Sequence, residues 1–157
     1  MITMIKQSVF RMVFSGLLLI TFAFSFVSFK ATGAITEDRN VVIEWSPDGS
    51  QVATGSTNGE VVVWDANTGL PTYTLQGHTE RIEGLAWNVD GVRLLSASFE
   101  AVNVWNVPLE TSNLIDDPVM AYIVAVGWHP TTNNIYTLEL EGTIRGWDSQ
   151  TFNLVRT

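Results

Sequence analysis

Apolar residues alternate with polar or small residues in short runs from about residue 40 to the end of the chain, and a turn follows each run. Three runs end in a tryptophan that precedes a turn, as in VVIEWSPDG around Trp45. Three others end in Trp-Asp or Trp-Asn, as in EVVVWD around Trp64. Alternation with period two is typical of half-buried strands, and the Pro and Gly after Trp45 fit a type I turn. The pattern predicts an all-β fold of short antiparallel strands.

The six tryptophans form two interleaved series with nearly constant spacing, 42 then 41 residues in the first series and 41 then 42 in the second. The first series is Trp45, Trp87 and Trp128, and the second is Trp64, Trp105 and Trp147. A fixed period of about 40 residues indicates copies of one structural unit. We predict three copies over about residues 36–65, 77–106 and 119–148, followed by the first strand of a further copy.

A different pattern precedes the repeats. Residues 12–29 form an uncharged run of 18 residues, with Lys6 and Arg11 before it and small residues at 31–34 after it. This layout is typical of a secretory signal peptide, although about 1.5 Å per helical residue makes the run nearly long enough for an uncleaved membrane anchor. A buried core helix is the third alternative, but the phenylalanines of the run do not form one stripe.

The N-terminal pattern therefore predicts an apolar helix within residues 1–34, acting as a signal peptide or a membrane anchor, and a folded body over residues 35–157. Either form of the segment implies export of the body. We expect a secreted or periplasmic protein, or one attached to the membrane through residues 12–29 alone.

Charge is distributed unevenly between these two parts. Residues 35–157 contain 5 Arg, no Lys and all 16 acidic residues, which gives a net charge of 5 − 16 = −11. Because affinity for nucleic acid depends on basic groups that displace counterions, nucleic-acid binding is disfavoured. The chain has no cysteine, so disulfides, cysteine zinc sites and thiol nucleophiles are excluded.

The repeats resemble the WD-repeat β-propeller family, and the resemblance extends from about residue 36 to the C-terminus. The second copy carries the fullest set of motifs, with Gly77-His78, the segment WNVDG at 87–91, and Trp105-Asn106, and 26 residues separate Gly-His from Trp-Asn. The resemblance implies blades of four antiparallel strands around a central channel. The chain would form a segment of about three such blades.

In this family a histidine, a serine or threonine, an aspartate and the repeat-ending tryptophan form a buried hydrogen-bond network. The resemblance places that network in the second copy at His78, Ser96, Glu100 and Trp105. Where the family prefers Asp, the three copies have other residues, namely Asn58, Glu100 and Glu141. Since a hydrogen bond contributes about 0.5–1.5 kcal/mol net, we expect packing to hold the blades even where the network is incomplete.

Propellers close with about 4 to 8 blades, and closure protects the edges of their sheets. Only three motif pairs are present in this sequence. We therefore expect an N-terminal piece of a longer propeller, completed by further blades of the same chain. The alternatives are closure by another chain and an open solenoid.

No motif predicts catalysis, a cofactor or a metal site. The network accounts for His78, and His129 opens a turn, so two histidines 51 residues apart without a third ligand do not indicate a metal centre. The sequence lacks a GxSxG motif and a glycine-rich phosphate loop, and the adjacent Asp116 and Asp117 fit a solvated loop. We predict a protein that is not an enzyme.

The resemblance implies a recognition function, because propellers present loops from every blade on one rim. In the family the residue before the turn acid points outward on the partner face, and here it is Thr57, Phe99 or Leu140. Packing against a neighbouring blade is the alternative for these residues. Three arginines are expected to be surface charges, namely Arg81, Arg93 and Arg145.

We accordingly predict a non-catalytic scaffold that binds protein or peptide partners outside the cytoplasm. One alternative is a membrane-anchored sensor or receptor ectodomain. Another is a fragment of a propeller-type hydrolase or lyase with its catalytic residues in missing blades.

Overall fold

The computed structural model describes residues 39–99, 101–115 and 122–157. These residues form twelve β-strands and one short 3₁₀ helix, Val107–Leu109, and the strands make three four-stranded antiparallel sheets. The all-β prediction is therefore confirmed. The predicted N-terminal apolar helix lies outside the described residues. Within them, no helix has the length and apolar character needed to span a bilayer.

Each sheet is a meander, because every strand pairs with the next strand in the chain. The strands of the first sheet are β1 (Asn40–Trp45), β2 (Gln51–Ser56), β3 (Val61–Asp65) and β4 (Pro71–Leu75). Those of the second sheet are β5 (Ile82–Trp87), β6 (Arg93–Ser98), β7 (Val102–Asn106) and β8 (Thr111–Ile115). Those of the third sheet are β9 (Ile123–Trp128), β10 (Ile135–Glu139), β11 (Ile144–Trp147) and β12 (Leu154–Arg156).

Hydrogen bonds from side chains fix the turn between β1 and β2. The Ser46 hydroxyl donates to Asp48 Oδ1 over 2.7 Å, and the backbone N–H of Ser50 donates to the same oxygen over 3.1 Å. These bonds stabilise the carboxylate and lower the pKa of Asp48 to about 2. Gly49 takes φ 71°, a left-handed conformation that costs glycine little. The Ser-Pro-Asp-Gly motif therefore forms the tight turn that its residues favour.

The core lies between the sheets. One apolar cluster fills the space between the first and second sheets, and it includes Val63, Ile82 and Trp87. A second cluster lies between the second and third sheets and includes Leu95, Val102 and Trp147. Each sheet on its own has no second layer, so stacking is what buries its apolar residues.

Gly55 marks the closest approach of the first sheet to the second. A Cβ at this position would lie 2.5 Å from Cγ2 of Ile82 and 2.8 Å from Cγ2 of Val42. Only a residue without a side chain fits there, so a glycine in the interior of β2 serves packing rather than flexibility.

The second tryptophan series links neighbouring strands within each sheet. The indole N–H of Trp105 donates to the Ser96 hydroxyl over 2.7 Å, and that of Trp147 donates to the Thr137 hydroxyl over 3.1 Å. In the first sheet the Trp64 indole likewise donates to Thr54, over 2.9 Å. A buried indole thus finds a hydroxyl partner on the adjacent strand in every sheet.

His78 extends this pairing in the second sheet. Its Nε2 is hydrogen-bonded to the Ser96 hydroxyl over 2.7 Å, so His78, Ser96 and Trp105 are joined through one oxygen. Glu100, the fourth residue predicted for this network, lies outside the described residues. Burial lowers the pKa of His78 to about 4, because desolvation disfavours the charged ring. His78 lies in the segment that connects the first sheet to the second, before β5. Its hydrogen bond therefore holds that segment against Ser96 in β6.

The other two sheets use different polar groups near the corresponding turns. In the first sheet, Ser56 is hydrogen-bonded to Asn58, whose Oδ1 accepts the backbone N–H of Glu60 over 3.1 Å. In the third sheet, Arg145 Nε lies 2.6 Å from Glu139 Oε1, and both side chains are largely buried. The prediction that Arg145 is a surface charge is wrong, because its guanidinium compensates a buried carboxylate.

Replacement of Ser96 by alanine tests the network without changing the backbone. The change leaves the Trp105 indole and the His78 ring without their hydroxyl partner, whereas Thr137→Val affects only the Trp147 indole. At about 1–3 kcal/mol for each buried group left unpaired, Ser96→Ala should cost roughly twice as much as Thr137→Val. Urea unfolding of both variants measures the difference. Equal losses would contradict a shared role of the Ser96 oxygen.

His78 should also make stability depend on pH. The fold holds the pKa of His78 at about 4, below the ordinary histidine value of 6.5, so between these values the unfolded chain binds a proton that the folded chain does not. The contribution of the neutral ring is complete above about pH 6.5 and declines as the pH falls toward 4. Unfolding free energies of the wild type and of His78→Gln across this range should diverge in slope, with the steeper slope in the wild type. Parallel curves would be inconsistent with a neutral buried His78.

Candidate interaction face

The turns that join the second and third strands of each sheet lie at the same sheet end as the start of its first strand. Register shows this, since Asn40 pairs with Ser56, and Ile82 pairs with Ser98. In the third sheet, Ile123 pairs with Glu139. We call this end of the sheets, with its turns, the turn face. It holds all three residues predicted to meet partners, namely Thr57, Phe99 and Leu140.

The turns of the turn face adjoin the next sheet in the stack. In the first sheet, a Cβ on Gly59 would lie 2.6 Å from the backbone oxygen of His78, which precedes β5. Between the second and third sheets, the Ile123 N–H donates to the Phe99 carbonyl over 3.3 Å. Backbone contacts between sheets therefore hold neighbouring turns together.

The three predicted residues differ in accessibility. Phe99 and Leu140 are exposed, whereas Thr57 is partly buried. The backbone N–H of Thr57 donates to the Arg39 carbonyl over 3.1 Å, and its hydroxyl accepts the Arg39 N–H over 3.3 Å. The apolar side chains available at this face thus come from the second and third sheets.

Tyr122 lies at the same face as Phe99 and Leu140, although no sequence motif singled it out. Its ring meets Phe99 edge to face, with centroids 6.2 Å apart and planes at 72°. Its carbonyl accepts the Leu140 N–H over 2.9 Å. The side chain itself is exposed. Its place before β9 matches that of Arg39 and Arg81 in the other copies, but nothing in that spacing predicts that the ring turns toward Phe99.

The backbone of Tyr122 is left-handed, with φ 51°. This conformation costs a residue other than glycine about 1–2 kcal/mol, and the surrounding contacts must offset that cost. The hydrogen bond from Leu140 and the contact with Phe99 hold the residue in place. Phe99, Tyr122 and Leu140 are named here the apolar patch.

The remaining arginines have different surroundings. Arg81 Nε lies 3.1 Å from Glu83 Oε1 on the surface, which agrees with the expected surface charge. Arg93 differs from that expectation, since its guanidinium lies 4.6 Å from the ring centroid of Trp128 and its Nη1 donates to the Ser149 carbonyl over 3.2 Å. Arg93 therefore joins the second sheet to the third through a cation–π contact.

Neither histidine stands beside acidic groups in a catalytic arrangement in the described part of the chain. His78 is bonded to Ser96, and His129 Nδ1 accepts the N–H groups of Thr131 and Thr132 over 3.3 and 3.2 Å. Across those same residues, no group of three or more His, Cys, Asp and Glu side chains is placed to hold a metal ion. The absence of catalytic residues and cofactors stays a prediction.

Comparison with known proteins shows which families and proteins the repeats are similar to. The family model described as "WD domain, G-beta repeat" matches residues 31–65 and 69–106. The SIR4-interacting protein SIF2 of Saccharomyces cerevisiae is 37% identical over 55% of this chain and 15% of that protein. The pre-rRNA-processing protein crb3/ipi3 of Schizosaccharomyces pombe is 28% identical over 74% of this chain and 30% of that protein. The U5 small nuclear ribonucleoprotein 40 kDa protein of Pongo abelii is 43% identical over 34% of this chain and 15% of that protein.

These relatives overturn the prediction that the chain is exported. They are named for pre-rRNA processing and for a small nuclear ribonucleoprotein, not for exported proteins. The family match also begins at residue 31, inside the small-residue stretch at 31–34 that the export hypothesis assigned to signal cleavage. The hypothesis was based on hydropathy, flanking charge and the small residues at 31–34, which describe how a segment partitions and where it could be cleaved. The alternative of a membrane-anchored ectodomain depended on export and falls with it.

The solved β-propeller domain of Cps50 (Swd1) from Myceliophteria thermophila has a similar fold. It superposes with a TM-score of 0.70 at 24% identity, over 80% of this chain and 40% of that one. The chain thus spans less than half the length of each of these relatives and of that domain. Three observations indicate the same kind of fold, namely the three stacked four-stranded sheets, the two matched repeats and the similarity to this solved domain. The chain carries WD40 repeats, and its homologues are β-propeller proteins.

Proposed function

We propose that the chain is a non-catalytic WD-repeat scaffold that binds protein or peptide partners at the turn face. The observation that carries this proposal is the apolar patch, in which paired strands and backbone hydrogen bonds hold Phe99, Tyr122 and Leu140 exposed to solvent. Exposed single apolar residues are common on protein surfaces, but aromatic side chains held together are typical of interface anchors.

Preorganisation makes the patch suitable for binding. Its residues sit in or beside turns between paired strands, and two backbone hydrogen bonds connect those turns, Ile123 to Phe99 and Leu140 to Tyr122. A surface that is already ordered loses less conformational entropy when a partner binds. The left-handed Tyr122 fits this description, since strained backbone positions cluster at functional sites.

The relatives support a role in protein interactions. SIF2 is named as a SIR4-interacting protein, and the U5 protein is named as part of a ribonucleoprotein. Because the chain covers a small share of each relative, these names support only a general class of partner for this chain, namely proteins or peptides. The acidic repeat region, with no lysine beyond residue 34, supports protein or peptide partners over nucleic acid.

The double variant Phe99→Ala, Leu140→Ala tests this face. Peptides are selected from a displayed random library on the immobilised wild-type chain, and their affinities are then measured for each variant by calorimetry. Because loss of a buried anchor costs about 2 kcal/mol or more, we expect affinity to fall at least about thirtyfold.

Leu70→Ala is the matched control. Leu70 is also an exposed leucine, at 65% against 68% for Leu140, but it lies in the turn after β3 at the opposite end of its sheet. The control should keep wild-type affinity and the wild-type thermal midpoint because the Leu70 side chain is exposed. The double variant loses the contact between Phe99 and Tyr122, so its midpoint should fall, and circular dichroism at the temperature of the binding measurement should show that it remains folded. Peptides that bind the double variant as well as the wild type would place recognition elsewhere.

A further inference from the structure

The last strand of each sheet has a partner strand on one side only. These strands are β4, β8 and β12, and we call them the outer strands, because the first strands lie together, with β5 against both β1 and β9. The last strand of a sheet presents unpaired backbone N–H and C=O groups, which can pair with a strand of another chain. Proteins commonly protect such an edge with a proline, a charged residue, a very short strand or a bulge.

Two of the outer strands carry such protection. β4 begins with Pro71, and its pairing with β3 shifts register beside Trp64. β12 has three residues, one of which is Arg156, and its pairing with β11 also shifts register. Because a bulge twists an edge strand away from a regular ladder, neither strand offers a continuous template for a further strand.

The outer strand of the second sheet lacks these features. β8 has the sequence TSNLI, without proline or charge, and all five of its residues pair with β7 without a shift of register. Four of its residues are exposed, namely Thr111, Ser112, Asn113 and Leu114. Within the described residues, no backbone hydrogen bond reaches β8 except those with β7. β8 therefore presents a regular, uncharged and open edge.

The opening at β8 does not depend on how many sheets the stack contains. The second sheet lies between the other two, and apolar clusters fill both junctions. Further sheets would join the stack beside the first or the third sheet and would not cover the last strand of the second. The edge of β8 is therefore open for a reason that lies in the second sheet itself.

We propose that β8 is a second binding site, at which an extended segment of a protein partner pairs as a fifth strand of the second sheet. The site is separate from the turn face, since no residue of the apolar patch belongs to β8. Antiparallel pairing would continue the meander and is slightly more stable per residue than parallel pairing. In this mode of recognition, main-chain hydrogen bonds supply affinity and alternate side chains supply specificity.

The side chains at β8 indicate what the segment carries. Ile115 is buried in the cluster between the second and third sheets, so by alternation Leu114 lies on the other side of the strand, where it is 51% exposed. A β-branched residue opposite Leu114 would cover this side chain. Glu110 precedes β8 and is exposed. In an antiparallel pair, a basic residue four positions after the β-branched one would lie near Glu110.

Charge favours a basic segment over a second copy of this chain. Residues 35–157 contain 5 Arg and 16 acidic residues, a net charge of 5 − 16 = −11. Pairing of β8 with β8 of another copy would bring two strongly negative bodies together, whereas a lysine-bearing segment is attracted to the same charge. The occupant we assign is accordingly an extended segment of another protein, with alternating β-branched residues followed by basic ones.

A peptide of this chemistry tests the site directly. The probe is the acetylated and amidated peptide Thr-Val-Thr-Val-Thr-Lys-Lys, added at millimolar concentration to the full chain, with amide hydrogen exchange followed by NMR. Binding should slow exchange at least about tenfold at alternate amides of Thr111–Ile115, because every second residue of an edge strand turns its N–H outward. Amides of β4 and β12 should exchange as they do without peptide.

Backbone methylation of the probe separates strand pairing from simple apolar contact. One derivative carries N-methyl groups on the three threonines, and another carries them on the two valines. Only one of these sets faces β8 in a paired strand, so one derivative should lose binding and the other should keep it. Equal binding of both derivatives would contradict pairing through the backbone.

Side-chain variants locate the site. Leu114→Lys places a positive charge beside the added strand, and affinity for the probe should fall at least about fivefold. Val155→Lys is the matched control, since Val155 lies on the outer strand β12 and is 52% exposed against 51% for Leu114. The control should bind the probe as the wild type does, and circular dichroism should show that both variants are folded.

The double variant Phe99→Ala, Leu140→Ala makes the two proposals separable. It alters the apolar patch and leaves β8 intact, so it should keep wild-type affinity for the probe even where it loses peptides selected at the turn face.

Three outcomes would overturn the proposal. Unchanged exchange at Thr111–Ile115 with the probe present would show that β8 does not accept a strand. Slowed exchange at β4 or β12 alone would place strand addition at another edge. A wild-type dimer in sedimentation that Leu114→Lys dissociates would make a second copy, and not a partner segment, the occupant of β8.

Discussion

Burial of apolar side chains between neighbouring sheets is the interaction on which this structure depends. A four-stranded meander has no interior of its own, so each sheet becomes stable by covering the face of another. Both junctions in the described residues follow one plan, in which a tryptophan and an aliphatic residue from the first strand of one sheet pack on the sheet before it. The absence of a side chain at Gly55 shows how closely the sheets approach.

Polar groups refine this packing and differ from sheet to sheet. The second sheet uses His78 with Ser96, the first uses Ser56 with Asn58, and the third uses a buried pair of Arg145 and Glu139. Net hydrogen-bond contributions are about 0.5–1.5 kcal/mol each, small beside the burial of several large side chains. Packing fixes the fold, and the turns are therefore free to vary in the residues they present at the turn face.

The tryptophan spacing and the turn motifs were enough to predict the strands and the resemblance to propeller repeats, because both depend on local alternation and on period. Tertiary placement was not accessible in the same way. The sequence predicted Arg93 and Arg145 as surface charges. In the fold, Arg93 lies over the Trp128 ring of the third sheet, and Arg145 pairs with Glu139 within that sheet. Tyr122 has no motif, and its meeting with Phe99 depends on how two sheets dock. The export hypothesis failed because hydropathy describes a segment and not the cellular fate of a protein.

The graded burial of the first tryptophan series has an optical consequence. Trp45 faces solvent, Trp87 is enclosed between sheets, and Trp128 lies beneath a guanidinium group. Indole fluorescence moves to longer wavelengths in water, so these rings emit from three distinct environments. Each junction between sheets carries its own spectroscopic reporter, and separation of one junction would appear as a red shift from the tryptophan that it releases.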